Sequence, residues 1–299
     1  MKKKLLITSA WNDEIAFSEL KNVGFELAFA EDNAEYDGSK TDFFGIVCNG
    51  FFLYNNVSEF KNMKFIQLTS SGLDRIPIEI IESSKIDLFN ARGVYSIPMA
   101  EFVLSGLLDL LKRKKDFFKN QAEKKWIKYR DLDELYSKKI AIFGCGSVGE
   151  EIAKRLKSFG CYVYGYDTKV ISNPFFDEIF NIVNYQQTIY MSDIQIICMP
   201  LTQETKHFCN NSFFSQLKKG SIFVNVSRGA IVDESSLVKA LDTHLLGAIV
   251  DVFETEPLPV ESELWGKKNV IITPHNSYAS TFNKTRLSSL IMRNLKKYV

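Results

Sequence analysis

The sequence has no long apolar run, few histidines, no paired cysteines and no excess of charge of either sign. Its longest apolar stretch, Met99 to Leu111, is broken by Glu101 and Asp109 and is too short to span a bilayer. The Met1-Lys2-Lys3-Lys4 start imitates the basic end of a signal peptide. Its apolar continuation, Leu5-Leu6-Ile7, stops at Thr8 and reads as a first β-strand instead. The five cysteines, Cys48, Cys145, Cys161, Cys198 and Cys209, are scattered, odd in number and form no CxxC pair. Neither a disulfide framework nor a zinc site is indicated, and a reducing, cytoplasmic compartment is expected. With 37 basic against 36 acidic residues the net charge is +1, so the whole molecule offers no electrostatic case for nucleic acid. No membrane and no nucleic-acid partner is expected.

What the chain does have is length and a regular alternation. At 299 residues with 45% hydrophobic content it holds enough chain for two domains with substantial cores. Short β-rich runs at Lys4–Thr8, Phe44–Cys48, Lys64–Leu68 and Ile86–Phe89 are separated by helix-length segments. A second series follows at Ile140–Phe143, Tyr162–Tyr166, Ile194–Cys198, Ile222–Val226, Ala248–Val250 and Val270–Ile272. Continuously apolar strands alternating with helices predict parallel sheets covered on both faces, hence an α/β fold of two doubly wound domains. The helical stretch from Met99 joins the two series. A final helix from about Ser280 places Leu287, Leu290, Ile291 and Leu295 on one face.

The strand Ile140–Phe143 runs directly into Gly144-Cys145-Gly146-Ser147-Val148-Gly149, and a helical pattern begins at once. Gly144 permits the tight turn, Gly146 lets the backbone approach a pyrophosphate, and Gly149 lets the helix pack close to the sheet. The pyrophosphate then sits at the positive end of the helix. Asp167, eighteen residues after Gly149, ends the next strand, where it can accept from ribose hydroxyls and repel a 2′-phosphate. NAD is therefore favoured over NADP, with Lys169 nearby keeping the second open.

Three later strands end in chemistry-bearing residues: Ser227-Arg228-Gly229, Asp251-Val252-Phe253-Glu254-Thr255-Glu256-Pro257, and Thr273-Pro274-His275. Ligands bind outside the carboxyl ends of the strands in such sheets, so an arginine, acidic residues and a histidine are expected at the cofactor rim. Read together with Asn90-Ala91-Arg92-Gly93 and Met199-Pro200-Leu201-Thr202, these segments resemble, in order and over most of the chain, the D-isomer specific 2-hydroxyacid dehydrogenase family.

The resemblance implies a flavodoxin-like substrate-binding domain, residues 1–98 and 278–299, and a Rossmann NAD-binding domain, residues 99–277. It implies hydride transfer between NAD(H) and C2 of a 2-keto acid or D-2-hydroxy acid, in a homodimer. Carried over residue by residue, Arg228 would hold the substrate carboxylate and polarise the carbonyl. His275 would be the acid and base, with Glu256 fixing its tautomer. Asp251 resembles the residue beside the nicotinamide carboxamide. Ser71 and Gly72 match the loop whose N–H groups receive the carboxylate. Further cofactor contacts fall on Ser147, Val148, Pro200, Val226 and Ser227. After His275 the chain departs from many relatives, with Asn276, Ser277 and Tyr278 where small residues and glycine are common. With the sequence ending at Val299, the regulatory domain appended to some phosphoglycerate dehydrogenases is not expected.

Competing readings attach to single features. A non-catalytic NAD(H)-sensing protein of the same fold would need no proton donor, which the Arg228, Glu256 and His275 set argues against. A methyltransferase would use the glycine loop but leave those residues idle. Glu254 competes with Glu256 for His275. His207 and His244 are expected at surface or structural positions, and Cys145 and Cys198 as buried spacers. The segment Asn49-Gly50-Phe51-Phe52-Leu53-Tyr54-Asn55-Asn56 is expected to form an aromatic pocket wall without lysine or arginine, favouring an apolar over a phosphorylated substrate.

Overall fold

Strands that carry apolar residues toward both faces are satisfied by a sheet covered on both sides. Two such sheets build this protein, a computed structural model that describes residues 3–299. Met1 and Lys2, the first residues of the signal-like start, lie outside the described residues. The chain divides into two units, one running through Tyr95 and resuming over Ser280–Val299, the other Ser96–Ala279.

The first unit contains β1 (Lys3–Thr8), α1 (Glu14–Asn22), β2 (Phe25–Ala30), β3 (Phe43–Cys48), β4 (Phe65–Leu68), α2 (Ile78–Glu82) and β5 (Asp87–Phe89). The second contains α3 (Ser96–Leu111), α4 (Lys114–Ala122), β6 (Lys139–Phe143), α5 (Ser147–Ser158), β7 (Tyr162–Asp167), β8 (Glu178–Asn181) and β9 (Ile194–Ile197). It continues through α6 (Asn211–Ser215), β10 (Ile222–Asn225), α7 (Glu234–Thr243), β11 (Gly247–Val250) and β12 (Val270–Ile272). The chain then returns to the first unit as α8 (Asn283–Leu295).

In the first unit the strands lie in the order β2-β1-β3-β4-β5, all parallel, the doubly wound order of flavodoxin-like sheets. One face buries Ala16 and Leu20 of α1 with Leu287, Ile291 and Leu295 of α8. Trp11 fixes α8 by donating its indole N–H to Ser288 Oγ at 3.0 Å. The other face collects Phe43, Ile46, Ile66 and Leu68.

The 49–56 segment packs into that second layer, and this corrects the reading of its phenylalanines as pocket wall. A short 3-10 turn, Phe51–Leu53, swings both rings inward, to 0% and 8% exposure. They meet Phe60 at centroid distances of 5.8 and 5.9 Å. Asp32 fastens the turn, accepting from the N–H groups of Asn49 at 2.8 Å and Gly50 at 2.6 Å. Leu53 and Tyr54 are the apolar residues this segment exposes.

The second unit has the sheet order β12-β11-β10-β9-β6-β7-β8, again all parallel. Counted from β6 this is the Rossmann order with a seventh strand, and the winding reverses between β6 and β9. Alternate residues serve opposite layers. Ile140 and Ile142 of β6 face α3 and α5, while Ala141 and Phe143 face α6 and α7. Among the described residues no helix is long and apolar enough to cross a membrane.

Candidate active site

The strand reversal between β6 and β9 is where the glycine turn lies. Gly144 leaves β6 at φ +100°, and a Cβ there would sit 2.7 Å from Met199 N and 2.8 Å from the Cys198 carbonyl carbon. Only glycine satisfies both the left-handed backbone and that approach. Gly149, in the first turn of α5, is held as tightly, since a Cβ would meet Gly144 O at 2.1 Å. Gly146 stands at the N-cap of α5 without any side-chain cap, which leaves the first N–H groups of the helix for a ligand. Ser147 and Val148 follow it, half-buried.

Asp167 closes β7 beside this turn. Its Oδ2 accepts from Cys145 N–H at 2.8 Å and its Oδ1 from Lys169 N–H at 3.2 Å. The carboxylate thus braces the glycine turn while staying half-exposed. Ser227 donates its hydroxyl to Met199 O, tying the end of β10 to the end of β9. Val226 is 2% exposed and belongs to the core. Pro200 is exposed, and its carbonyl accepts from Thr205 Oγ1 at 2.8 Å. The uncapped helix terminus, the close glycine cradle and the half-exposed Asp167 fit the pyrophosphate and a ribose of a nicotinamide dinucleotide.

Along the same strand ends lies a histidine–carboxylate pair. His275 Nδ1 is 2.8 Å from Glu256 Oε2. The other carboxylate oxygen, Oε1, accepts from Phe253 N–H at 3.0 Å. Both oxygens of Glu256 are therefore engaged, and the ring is presented with Nδ1 facing the carboxylate. Glu254, the competing partner, instead reaches His207 Nε2 at 3.0 Å. Arg228 follows β10, with Nη1 donating to Ser227 O at 2.8 Å. A pocket of ≈ 550 Å³ adjoins the pair, lined by Phe253, Glu256, Leu258, Trp265, Ile272 and His275 among others.

Asp251 has a different surrounding from its neighbours. It is 0% exposed, and its carboxylate accepts from Thr273 Oγ1 at 2.6 Å, Asn276 N–H at 2.8 Å and Ser277 N–H at 2.9 Å. Its carbonyl accepts from His275 N–H at 2.7 Å. Every one of these donors lies on the segment that carries His275, whose φ of +51° needs such support. Asp251 is thus the anchor of the histidine loop. Sequence reasoning passed over two further braces. Asn225, 0% exposed, donates to Arg228 O at 3.0 Å and accepts from Ser227 N–H at 3.1 Å. Thr273 supplies the hydroxyl on Asp251. A polar residue at the carboxyl end of an otherwise apolar strand was the available signal for both.

Ser71 and Gly72 belong to the first unit, in the turn after β4. Asn90 Nδ2 donates to Ser71 O at 2.9 Å and Ser71 Oγ donates to Ala91 O at 3.1 Å. Among the described residues their backbone N–H groups have no partner. His244 is bound structurally, with Nε2 3.0 Å from Phe214 O. Burial pushes the Cys145 thiol up to about 12, with the Asp167 charge adding to it, and raises Cys198 further. Neither is a thiolate at neutral pH.

The model of the D-isomer specific 2-hydroxyacid dehydrogenase NAD binding domain matches residues 104–277. Among curated proteins, the glyoxylate reductase of Thermofilum pendens is 34% identical, covering 78% of this chain and 71% of its own. Glyoxylate/hydroxypyruvate reductase HPR3 of Arabidopsis thaliana is 30% identical, covering 81% of this chain and 75% of its own. A crystal structure of a D-isomer specific 2-hydroxyacid dehydrogenase from Xanthobacter autotrophicus Py2, in complex with NADPH and MES, superposes with a TM-score of 0.80 at 25% identity. That match covers 100% of this chain and 96% of the other. The chain belongs to the D-isomer specific 2-hydroxyacid dehydrogenase family, and residues 104–277 are its NAD-binding domain.

Proposed function

We propose that the protein is a 2-keto acid reductase, or D-2-hydroxyacid dehydrogenase, in which Arg228, Glu256 and His275 act on the substrate. The observation that carries this reading is the 2.8 Å contact between His275 Nδ1 and Glu256 Oε2, on the same row of strand ends as the glycine turn. When bound, the dinucleotide supplies hydride to C2 or takes it back. His275 Nε2 gives a proton to the ketone oxygen in reduction and removes it from the hydroxyl in oxidation. Glu256 keeps Nδ1 protonated, so Nε2 is the nitrogen that exchanges its proton. Arg228 binds the substrate carboxylate as a planar fork and polarises the adjacent carbonyl. In the first unit, Ser71 and Gly72 offer backbone N–H donors suited to a carboxylate.

The dinucleotide is held by Gly144, Gly146, Ser147, Val148 and Gly149 at its phosphates, by Asp167 at a ribose, and by Pro200, Val226 and Ser227 along the strand ends. Asp251 acts on the nicotinamide end through the loop it anchors. A carboxylate at 167 favours NAD over NADP by repelling a 2′-phosphate, although the Xanthobacter relative carries NADPH. The pocket beside His275 is lined by Phe253, Leu258, Trp265 and Ile272 and, among the described residues, by no lysine or arginine. A substrate whose C2 substituent is uncharged fits that lining.

The test is NADH consumption with glyoxylate, pyruvate, hydroxypyruvate, 2-ketoisocaproate and oxaloacetate, with His275→Ala in parallel. Turnover with one of these acids, falling at least about 10²-fold in the variant, is expected. NADH binding without turnover of any acid would sink the catalytic reading, and absence of NADH binding would sink the cofactor assignment.

A further inference from the structure

A second histidine–glutamate pair, His207 and Glu254, takes its glutamate from the loop that carries Glu256, and its connections lead to Arg228. His207 N–H donates to Ala230 O at 2.8 Å. Cys209 N–H donates to Ile231 O at 3.0 Å, and Asp233 N–H to Cys209 O at 3.1 Å. This short ladder fastens residues 207–209 to the stretch that follows Arg228. His207 adopts a φ of +50°, a left-handed conformation uncommon outside glycine and asparagine. From there its ring meets Glu254 Oε1 at 3.0 Å. Glu254 is held from the other side as well, its N–H donating to Glu234 Oε1 at 2.9 Å.

The Arg228 segment is pressed against this loop without a gap. A Cβ on Gly229 would lie 1.8 Å from the Phe253 carbonyl carbon and 2.3 Å from Glu254 N. Any shift of Phe253–Glu254 therefore moves the backbone beside Arg228. Phe253 N–H also holds Glu256 Oε1 at 3.0 Å, so the same stretch carries the partner of His275.

We propose that His207 is a positioning residue: paired with Glu254, it clamps the Arg228 segment to the loop bearing Glu256 and so fixes the substrate-binding guanidinium relative to the acid–base pair. The inference rests on the roles given above to Arg228 and His275. His207 and Glu254 side chains are 42% and 43% exposed, and a polar contact so exposed adds little to global stability. Its consequence is geometric, and a misplacement of about 1 Å at a reacting group can reduce rate by about 10²-fold.

His207→Asn, Glu254→Ala, their combination and Glu254→Gln test this in the intact protein. Asparagine tolerates the left-handed backbone but is too short to reach Glu254, so the fold is kept while the pair is lost. Each broken pair is expected to lower kcat/KM for the keto acid that the wild type reduces by about 10- to 100-fold. The NADH dissociation constant and the thermal midpoint stay unchanged, and the double variant is no worse than either single one. Glu254→Gln, which keeps the acceptor, restores most of the activity. Unchanged kcat/KM in the single variants, multiplying losses in the double variant, or a parallel loss of NADH affinity would each overturn the clamp. A wild type that reduces no acid fails the reading of Arg228 and His275, and the clamp with it; an active wild type with fully active variants refutes the clamp alone.

Discussion

Replacing Asp251 by asparagine changes one oxygen into an NH₂ group inside a site that offers only donors. The carboxylate is 0% exposed and accepts from Thr273 Oγ1 and Asn276 N–H on Oδ1 and from Ser277 N–H on Oδ2. The amide does least damage with its oxygen toward Thr273 and Asn276, which sets its NH₂ against the Ser277 N–H. Two buried donor groups, the Ser277 N–H and the new NH₂, are then left unsatisfied, at about 1–3 kcal/mol each. The two remaining bonds lose their charge assistance, roughly half their strength. Relief of a buried charge offsets part of this, so the net loss is about 2–4 kcal/mol. For a unit the size of Ser96–Ala279 that corresponds to a thermal midpoint lowered by about 5–15 °C. Circular dichroism melting of the intact chain measures it, with Thr273→Val, which removes one donor alone, as the milder control. Because the same bonds support His275 at its positive φ, kcat should fall together with the midpoint. A variant melting within about 1 °C of the wild type would refute the account of Asp251 as the anchor of this loop.

Gly149→Ala places a Cβ 2.1 Å from the carbonyl oxygen of Gly144. Backbone cannot yield as a flexible side chain does, so an overpacking penalty of about 1–3 kcal/mol falls on the nucleotide turn. Fluorescence titration should show the NADH dissociation constant raised at least about tenfold; unchanged binding would contradict the cradle. The buried thiols make a prediction about alkaline pH. Burial raises Cys161 to about 11 and Cys145 to about 12, whereas in the unfolded chain both ionise near pH 9. Above pH 9 the unfolded state binds fewer protons than the folded one, so stability falls as pH rises from about 9 toward 11 and 12. Between pH 8 and pH 10 the loss is about 1 kcal/mol per shielded thiol. Urea midpoints should therefore drop less in a Cys145→Ala, Cys161→Ala double variant than in the wild type. Equal drops would show that these thiols do not differ between the two states.

The central strands were legible because both faces of each are buried. Ile194 and Ile196 enter one layer of the second unit and Ile197 the other, so β9 reads as apolar on both faces, with Gln195 its one polar residue. The two strands missed by pattern, β2 and β8, both lie at sheet edges. There one side has no neighbouring strand and burial is incomplete: Phe29 is 56% exposed, and β8 opens on the exposed Glu178. The glycine turn was legible for the opposite reason, since its residues are fixed by backbone geometry rather than by burial. The 49–56 segment misled because composition reports how aromatic a loop is and not which way its rings turn. A 3-10 turn and the Asp32 carboxylate decide that, and neither has a signature in the loop itself.

The segment Asp251–Glu256 shows how far spacing goes before three dimensions are needed. Its three carboxylates are close in sequence, and composition alone gives them equal claims on His275. Their surroundings separate them. Asp251 is enclosed by donors from the histidine loop and has no solvent face, so its carboxylate serves the backbone around His275 rather than the ring. Glu256 reaches the ring because one of its oxygens is already fixed by Phe253 N–H, which aims the other at Nδ1. Glu254 is turned away by its own N–H bond to Glu234 and meets His207. An acid that binds a proton-exchanging ring must be held without being enclosed, since full burial would oppose the charge that develops during catalysis. Of the three, Glu256 alone combines a fixed carboxylate, partial exposure and a contact to His275. On this ground Glu256→Gln should impair proton exchange while leaving the loop folded, whereas Asp251→Asn should disturb the loop itself.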